Sequence, residues 1–347
     1  MVEMSGEIIR ILFVADTHLG FDMPFRPRVV RRRRGHDFFA NFERALEPAM
    51  TGGADLVVHG GDLFFRSRVP EALIDIAMAP LMNVAKSGIP VYIVPGNHER
   101  SRIPLNLWSI HPNLHIFDQA KTYLCEIGGV KLALAGFPFT RNIQEAFSKL
   151  LSMTRYESVQ CDIRVLCMHQ IVEGAQVGPS DYTFRSGPDV IRGCDIPGNF
   201  SIVLSGHIHR AQLLTRDLKN RPLKSSVLYP GSVERTSFAE RKEEKQFTLI
   251  DVSPDGSSKG NLIDVQFVPL PTRPMVRVVL EDEESSTEEI LASLRERFLG
   301  LDPNSIVRVH LEGTISEEAV RVFTAENLRR IAPPGMNVSV AYPRSLG

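Results

Sequence analysis

Five short blocks of the chain carry side chains suited to divalent cations, and each follows an apolar, β-rich run. Asp16-Thr17-His18 comes after Ile8 to Ala15, Gly61-Asp62 after Asp55 to His59, and Gly96-Asn97-His98-Glu99 after Ile89 to Val94. Further on, Ile163 to Cys167 runs into Met168-His169-Gln170, and Ile202 to Leu204 into Gly206-His207-Ile208-His209. One histidine at a strand end is more often a packed or rim residue than a ligand. Two Asp, one Asn and four His at repeated strand ends reverse those odds. The carboxyl ends of strands in an open α/β sheet border one crevice, so residues distant in sequence converge there. Oxygen and imidazole donors without a thiolate suit manganese, iron or zinc better than calcium. Seven side chains, Asp16, His18, Asp62, Asn97, His169, His207 and His209, exceed one tetrahedral site and suffice for two adjacent ions sharing a bridging carboxylate.

Those donors need a scaffold that ends its strands on one side. Between the first three apolar runs lie helical stretches. Asp37 to Met50 gathers Phe38, Phe39, Phe42, Leu46 and Met50 mostly on one face, and Pro70 to Lys86 opens with proline at a first-turn position. Strand, helix, strand, helix, strand implies parallel pairing. From Lys121 onward, closely spaced strands around Gly128-Gly129 and before Pro254-Asp255-Gly256 predict a second, more antiparallel sheet. The expected fold class is α/β: a two-sheet sandwich flanked by helices in four layers, followed by a small C-terminal α+β module. Three prolines in Pro269-Leu270-Pro271-Thr272-Arg273-Pro274 mark the junction, which puts the domains at 1–270 and 275–347. In the second, Ser286 and Glu289 fit a capping box ahead of Ile290, Leu291, Leu294 and Phe298, with strands at Met275 to Leu280, Ile306 to Leu311 and Met336 to Tyr342.

Composition removes several classes of function. Lys and Arg number 40 against 41 Asp and Glu, so the molecule is no polycation and any nucleic-acid affinity must come from a local patch. No apolar run approaches the ~20 residues needed to cross a bilayer. The N-terminal Met-Val-Glu-Met-Ser-Gly-Glu lacks the basic flank and apolar core of a secretion signal, which points to the cytoplasm. Four cysteines without a Cys-x-x-Cys pair read as reduced and structural. Phosphate-loop, dinucleotide and serine-hydrolase signatures do not occur.

The five blocks, in this order, resemble the calcineurin-like metallophosphoesterases, whose pattern is Asp-x-His, Gly-Asp, Gly-Asn-His, His and Gly-His-x-His. Within that group the text is most similar to the SbcD-type DNA-repair exonucleases, through Ala15-Asp16-Thr17-His18-Leu19-Gly20, Gly60-Gly61-Asp62-Leu63-Phe64, Pro95-Gly96-Asn97-His98-Glu99 and the appended module. The resemblance implies one ion held by Asp16, His18, Asp62 and His209 and a second by Asp62, Asn97, His169 and His207. Manganese is the first expectation, with magnesium, iron or zinc as alternatives. His98 then resembles the family's histidine that contacts the scissile phosphate and protonates the leaving oxygen. The implied activity is two-metal hydrolysis of DNA phosphodiester bonds, with ions about 3.5–4 Å apart activating a shared water. It also implies a homodimer, an SbcC-type ATPase partner and a C-terminal module that guides DNA. Phe65 departs from the pattern, since many relatives carry Asp or His there, and the family's partner-binding helical pair is not evident.

Arg26, Arg28, Arg31, Arg32, Arg33 and Arg34 place six cations within nine residues just after the first donor block. Such a run is usually a solvated face; here its position favours tracking the phosphates of a polynucleotide. His59 is either an outer neighbour of the donors or a packed core residue. Two other functions stay open: a metal-dependent phosphatase or phosphodiesterase acting on a small molecule or phosphoprotein, and a non-catalytic DNA-binding subunit with a structural metal.

Overall fold

The computed structural model describes residues 8–23, 32–99, 111–281, 286–312 and 323–341. The chain forms two compact units. The first comprises residues 1–21, 38–235 and 242–271; the second takes in 22–37, 236–241 and 272–347.

In the first unit, one six-stranded sheet runs, in spatial order, Asn261–Leu270, Lys245–Ser253, Ile9–Val14, Leu56–His59, Val91–Ile93 and Leu114–Ile116. Its last four strands are parallel, as the alternating strand and helix pattern requires. A second six-stranded sheet runs Gln212–Arg216, Pro222–Tyr229, Ile202–Ser205, Ile163–Met168, Val130–Gly136 and Lys121–Ile127. Side-chain alternation assembles the layers. Leu12 and Val14 face the helices Gly35–Met50 and Glu71–Lys86, joining Phe38, Phe42, Leu46, Ile74, Ala77 and Leu81. Ile9, Ile11 and Phe13 point the other way, into a core between the sheets with Leu132, Leu134, Ile163, Val165, Ile202 and Leu204. Phe147 and Leu151 of the helix Ile143–Met153 cover the far face of the second sheet against Leu166 and Val203. These are the four expected layers.

Two expectations change. Met50 lies in the helix's last turn and is 49% exposed rather than on the buried face. The second sheet is parallel through its centre and antiparallel only at its two edge pairs. Its central strands 163–168 and 202–205 are buried at every position, and strands covered on both faces favour parallel pairing. The antiparallel hairpin 245–270 extends the first sheet instead.

The second unit carries a parallel three-stranded sheet, Met275–Glu281, Ile306–Glu312 and Asn337–Ala341, with the middle strand central. Helix Thr287–Leu299 begins at Ser286 with both halves of the capping box formed, and it buries Ile290, Leu294 and Phe298. The short helix Ala325–Ile331 buries Leu328 in the same core. The segment Ser316 to Ile331 reads from its sequence as helix, with a strand possible; its described part forms the helix Ala325–Ile331, and residues 316–322 lie outside the described residues.

Candidate metal centre

The first two donor loops are laid side by side by main-chain hydrogen bonds. Asp16 N donates to Gly61 O (2.9 Å), His18 N to Asp62 O (3.0 Å) and Leu19 N to Leu63 O (2.8 Å). Both loops leave the strands at left-handed turns: Asp16, His18 and Asp62 have φ of 52°, 44° and 53°, and His207 has 81°. A non-glycine residue pays for such a conformation, so strain concentrated at four of the seven donors points to function. Gly96 is required sterically, because a Cβ there would overlap the Asp62 carboxylate and amide. Glu99 ties the second and third loops together. Its buried carboxylate accepts from Asp62 N (3.2 Å), Phe64 N (2.8 Å) and Gly96 N (2.8 Å).

All seven donors named from the sequence come together in the first unit, in two groups joined by Asp62. In one group His18 Nε2 lies 3.0 Å from His209 Nε2, which is 3.9 Å from Asp16 Oδ1. In the other, Asn97 Oδ1 is 3.0 Å from His169 Nε2 and 2.8 Å from His207 Nδ1, with the two imidazole nitrogens 3.2 Å apart. Asp62 reaches His169 through Oδ1 (3.5 Å) and His98 through Oδ2 (3.7 Å). Asp16, His18, Asp62 and His169 are almost wholly buried.

The protonation balance shows how crowded the site is. Burial, only partly countered by His169 and His209, pushes Asp16 up to about 6. Burial would raise Asp62 too, but the neighbouring His169 outweighs it and holds that carboxyl below its usual range. Burial would depress His169, yet Asp62 beside it lifts the imidazole to about 9. Burial together with the His169 charge drives His207 down to about 3. Carboxylate, amide and imidazole ligand atoms are thus crowded into one buried site, an arrangement suited to a bound cation. Asp16, His18 and His209, and likewise Asp16, Asp62 and His169, offer ligand atoms close enough to grip one ion. Carboxylate, amide and imidazole donors fit divalent ions of the manganese, iron and zinc kind.

His98 stands at the rim. Its main-chain N donates to Asp62 Oδ1 (2.9 Å), and its ring Nδ1 pairs with Phe65 O (2.8 Å), so Nε2 is the nitrogen left facing the cluster. Phe65 sets its ring edge-on to His18. His59 is fully buried, receiving Gly61 N–H at Nδ1 (3.2 Å) and meeting Thr17 Oγ1 at Nε2 (3.0 Å), which makes it part of the frame behind the donors. Sequence reasoning named Glu99 only as a neighbour in its motif; an acid two residues after the donor Asn97 was the signal for its clamp. Lys245 was missed altogether.

The arginine run divides differently. Arg26, Arg28 and Arg31 lie outside the described residues. Arg32, Arg33 and Arg34 belong to the second unit. Arg32 pairs with Asp37 (2.8 Å) and donates to Asn304 (2.9 Å); Arg33 pairs with Asp22 (3.2 Å), whose other oxygen accepts from Arg34 N (3.1 Å).

A layered α/β sandwich gathering Asp, Asn and His at its strand ends defines a class of metal-dependent phosphoesterases, and comparison with known proteins agrees. The calcineurin-like phosphoesterase family model matches residues 9–211, and the chain belongs to that family. It is similar to the DNA double-strand break repair protein Mre11 of Haloferax volcanii, 27% identical over 324 residues, covering 91% of this chain and 65% of that protein. Mre11 of Archaeoglobus fulgidus is also 27% identical, over 308 residues, covering 84% of this chain and 64% of the relative. The chain therefore spans just under two thirds of the length of these relatives. Among solved structures, a dimetal phosphatase from Danio rerio superposes with a TM-score of 0.44 at 11% identity, covering 76% of this chain and 99% of that one. Among the described residues, no helix is long and apolar enough to cross a membrane.

Proposed function

We propose that the chain is a two-metal phosphodiesterase that cleaves DNA. The observation that carries this reading is the division of seven donors into two groups joined by one carboxylate, with His98 beside them. Asp16, His18, Asp62 and His209 would hold one ion, and Asp62, Asn97, His169 and His207 the other. Divalent ions bound there supply the charge that acidifies a water and offsets the phosphate oxygens. Asp62 is read as serving both groups because it offers ligand atoms close to those of His18 on one side and of Asp16 and His169 on the other. Asn97 contributes a neutral oxygen, which leaves the centre more positive than another Asp would and favours an anionic diester.

His98 is read as the proton donor to the departing oxygen. Its Nδ1 is engaged by a main-chain carbonyl, which fixes the ring and leaves Nε2 to carry the transferred proton in the imidazolium form. Manganese is the favoured ion. Similarity to Mre11 proteins named for DNA double-strand break repair supports DNA as the substrate. The homodimer, the SbcC-type ATPase partner and the cytoplasmic location are proposed from the family resemblance of the sequence blocks. The module at 275–347 is read as guiding DNA and the domain at 1–270 as catalytic. The arginine run from Arg26 to Arg34 is assigned to phosphate contacts, and the Arg32 side chain keeps 42% of its surface exposed despite its ion pair.

The test strips metal with chelator, restores Mn²⁺, Mg²⁺ or Zn²⁺ separately, and offers duplex DNA, single-stranded DNA, bis(p-nitrophenyl) phosphate and p-nitrophenyl phosphate. Metal-restored cleavage of DNA and the diester is expected. Turnover of the monoester alone would replace this reading with a small-molecule or phosphoprotein phosphatase, and DNA binding without turnover would replace it with a non-catalytic subunit. His98→Ala should keep both ions and lose roughly 10²–10⁴ in rate.

A further inference from the structure

Lys245 begins a strand of the first sheet, and its side chain is fully buried. An ammonium group is rarely placed there unless it is paired and hydrogen-bonded. Nζ donates to the main-chain carbonyl of His209 (3.1 Å) and pairs with Glu243 Oε2 (3.1 Å). The other Glu243 oxygen lies 3.5 Å from Arg210 Nε. Arg210 in turn spends its remaining nitrogens on Asp181 Oδ1 (2.6 Å) and Gly178 O (2.7 Å), at the turn of the hairpin joining Gln176–Val177 to Tyr182–Thr183. The His209 carbonyl also accepts from Ser232 N (3.1 Å). Two consecutive residues are thus gripped from several sides, and the first of them is a candidate metal donor.

We propose that Lys245 and Glu243 form a buried ion-pair brace that fixes the main chain at His209–Arg210 and thereby sets the affinity of the half-site built from Asp16, His18 and His209. This rests on the two-metal reading above. His209 is the donor most in need of such support, because its side chain is 27% exposed while Asp16 and His18 are locked in the interior. Without a fixed backbone, each binding event would have to order residues 209–210 at the expense of affinity. Lys245 is a positioning residue on this view, acting through the backbone of a donor and through Glu243.

The experiment titrates chelator-treated protein with Mn²⁺ and follows free ion by electron paramagnetic resonance. Wild type should take up two equivalents. Lys245→Met should bind one equivalent as wild type does and the other at least tenfold more weakly, while Lys245→Arg restores it to within about threefold. Glu243→Gln, a milder change that decides the matter if Lys245→Met fails to fold, should weaken the same equivalent about threefold or more. Unchanged titrations in the folded variants would overturn the brace, as would equal weakening of both equivalents, the mark of a merely structural role. Wild type taking up fewer than two equivalents would fail the two-metal reading itself, and the brace with it, before any variant is compared.

Discussion

Both units bury charge, but they settle it in opposite ways. In the second unit the Arg273 guanidinium is only slightly exposed and every arm is answered: Asn304 O at 2.6 Å, Asp37 Oδ2 at 3.0 Å, Asn337 Oδ1 at 2.7 Å and Gly335 O at 2.6 Å. In the first unit, Asp16 and Asp62 lie among four imidazoles whose nitrogens approach one another to 3.0 Å and 3.2 Å. The arginine network closes on itself, so it is architecture. The Asp and His cluster instead gathers carboxylate and imidazole ligand atoms within reach of one another, an arrangement that a bound cation would complete.

The sharpest break of that contrast comes from Asp62. Asp62→Asn keeps the shape and removes the charge shared by the two groups, so both ions should be lost and diester turnover should fall about 10³-fold or more. Metal analysis of the purified variant checks it. Two tightly bound ions in Asp62→Asn would mean that the cluster does not depend on a bridging carboxylate.

Arg273→Met probes the closed network. Breaking this buried pair leaves Asp37 with Arg32 alone and takes the donors from the carbonyls of Asn304 and Gly335, which should lower stability by about 3 kcal/mol. The metal content of protein that still folds should stay at its wild-type value, since Asn304, Asp37, Asn337 and Gly335, which the guanidinium holds, all belong to the second unit. A denaturation midpoint unchanged from wild type would show that this network is not structural.

A smaller effect is expected at Gly96, the contact point of the two donor loops. Gly96→Ala drives a methyl group into Asp62, and overpacking of this kind costs about 1–3 kcal/mol. Because the displaced atoms are donors, metal affinity should fall along with the melting temperature. A variant with normal affinity would show that the loops move aside freely.

The residues involved also explain what could be read in advance. The donors were legible because Asp, Asn and His after apolar β-rich runs have few structural uses in such numbers, and parallel strands bring their ends together. The helices showed their apolar stripes, and the capping box at Ser286 is a purely local signal. Other features depend on backbone direction, which residue type does not encode. The Glu99 carboxylate matters because three N–H groups point at it, and Lys245 because one carbonyl does. The parallel centre of the second sheet was hidden by the tight turns at its edges. Arg32 and Arg33 read as free cations until Asp37 and Asp22 were found beside them.

His59 tests the contrast inside the first unit, because it sits behind the donors yet belongs to a closed network. Thr17 Oγ1 donates to Leu63 O (3.1 Å), so it receives the proton on His59 Nε2, and Nδ1 is left to accept from Gly61 N–H. The ring is thereby neutral, and burial together with the His169 charge pushes its pKa down to about 3. The unfolded chain takes up this proton near its ordinary value of about 6.5, whereas the folded chain refuses it. Between those two values the unfolded state binds more protons, so stability falls as pH drops, by up to about 1.4 kcal/mol per pH unit from this group. His59→Gln removes that contribution while keeping an oxygen to accept from Gly61. Melting temperatures recorded with chelator from pH 6.5 to 4 should therefore decline more steeply for wild type than for His59→Gln. Parallel curves would mean that the imidazole is protonated in the fold, and that the frame behind the donors is as open as the cluster in front of it.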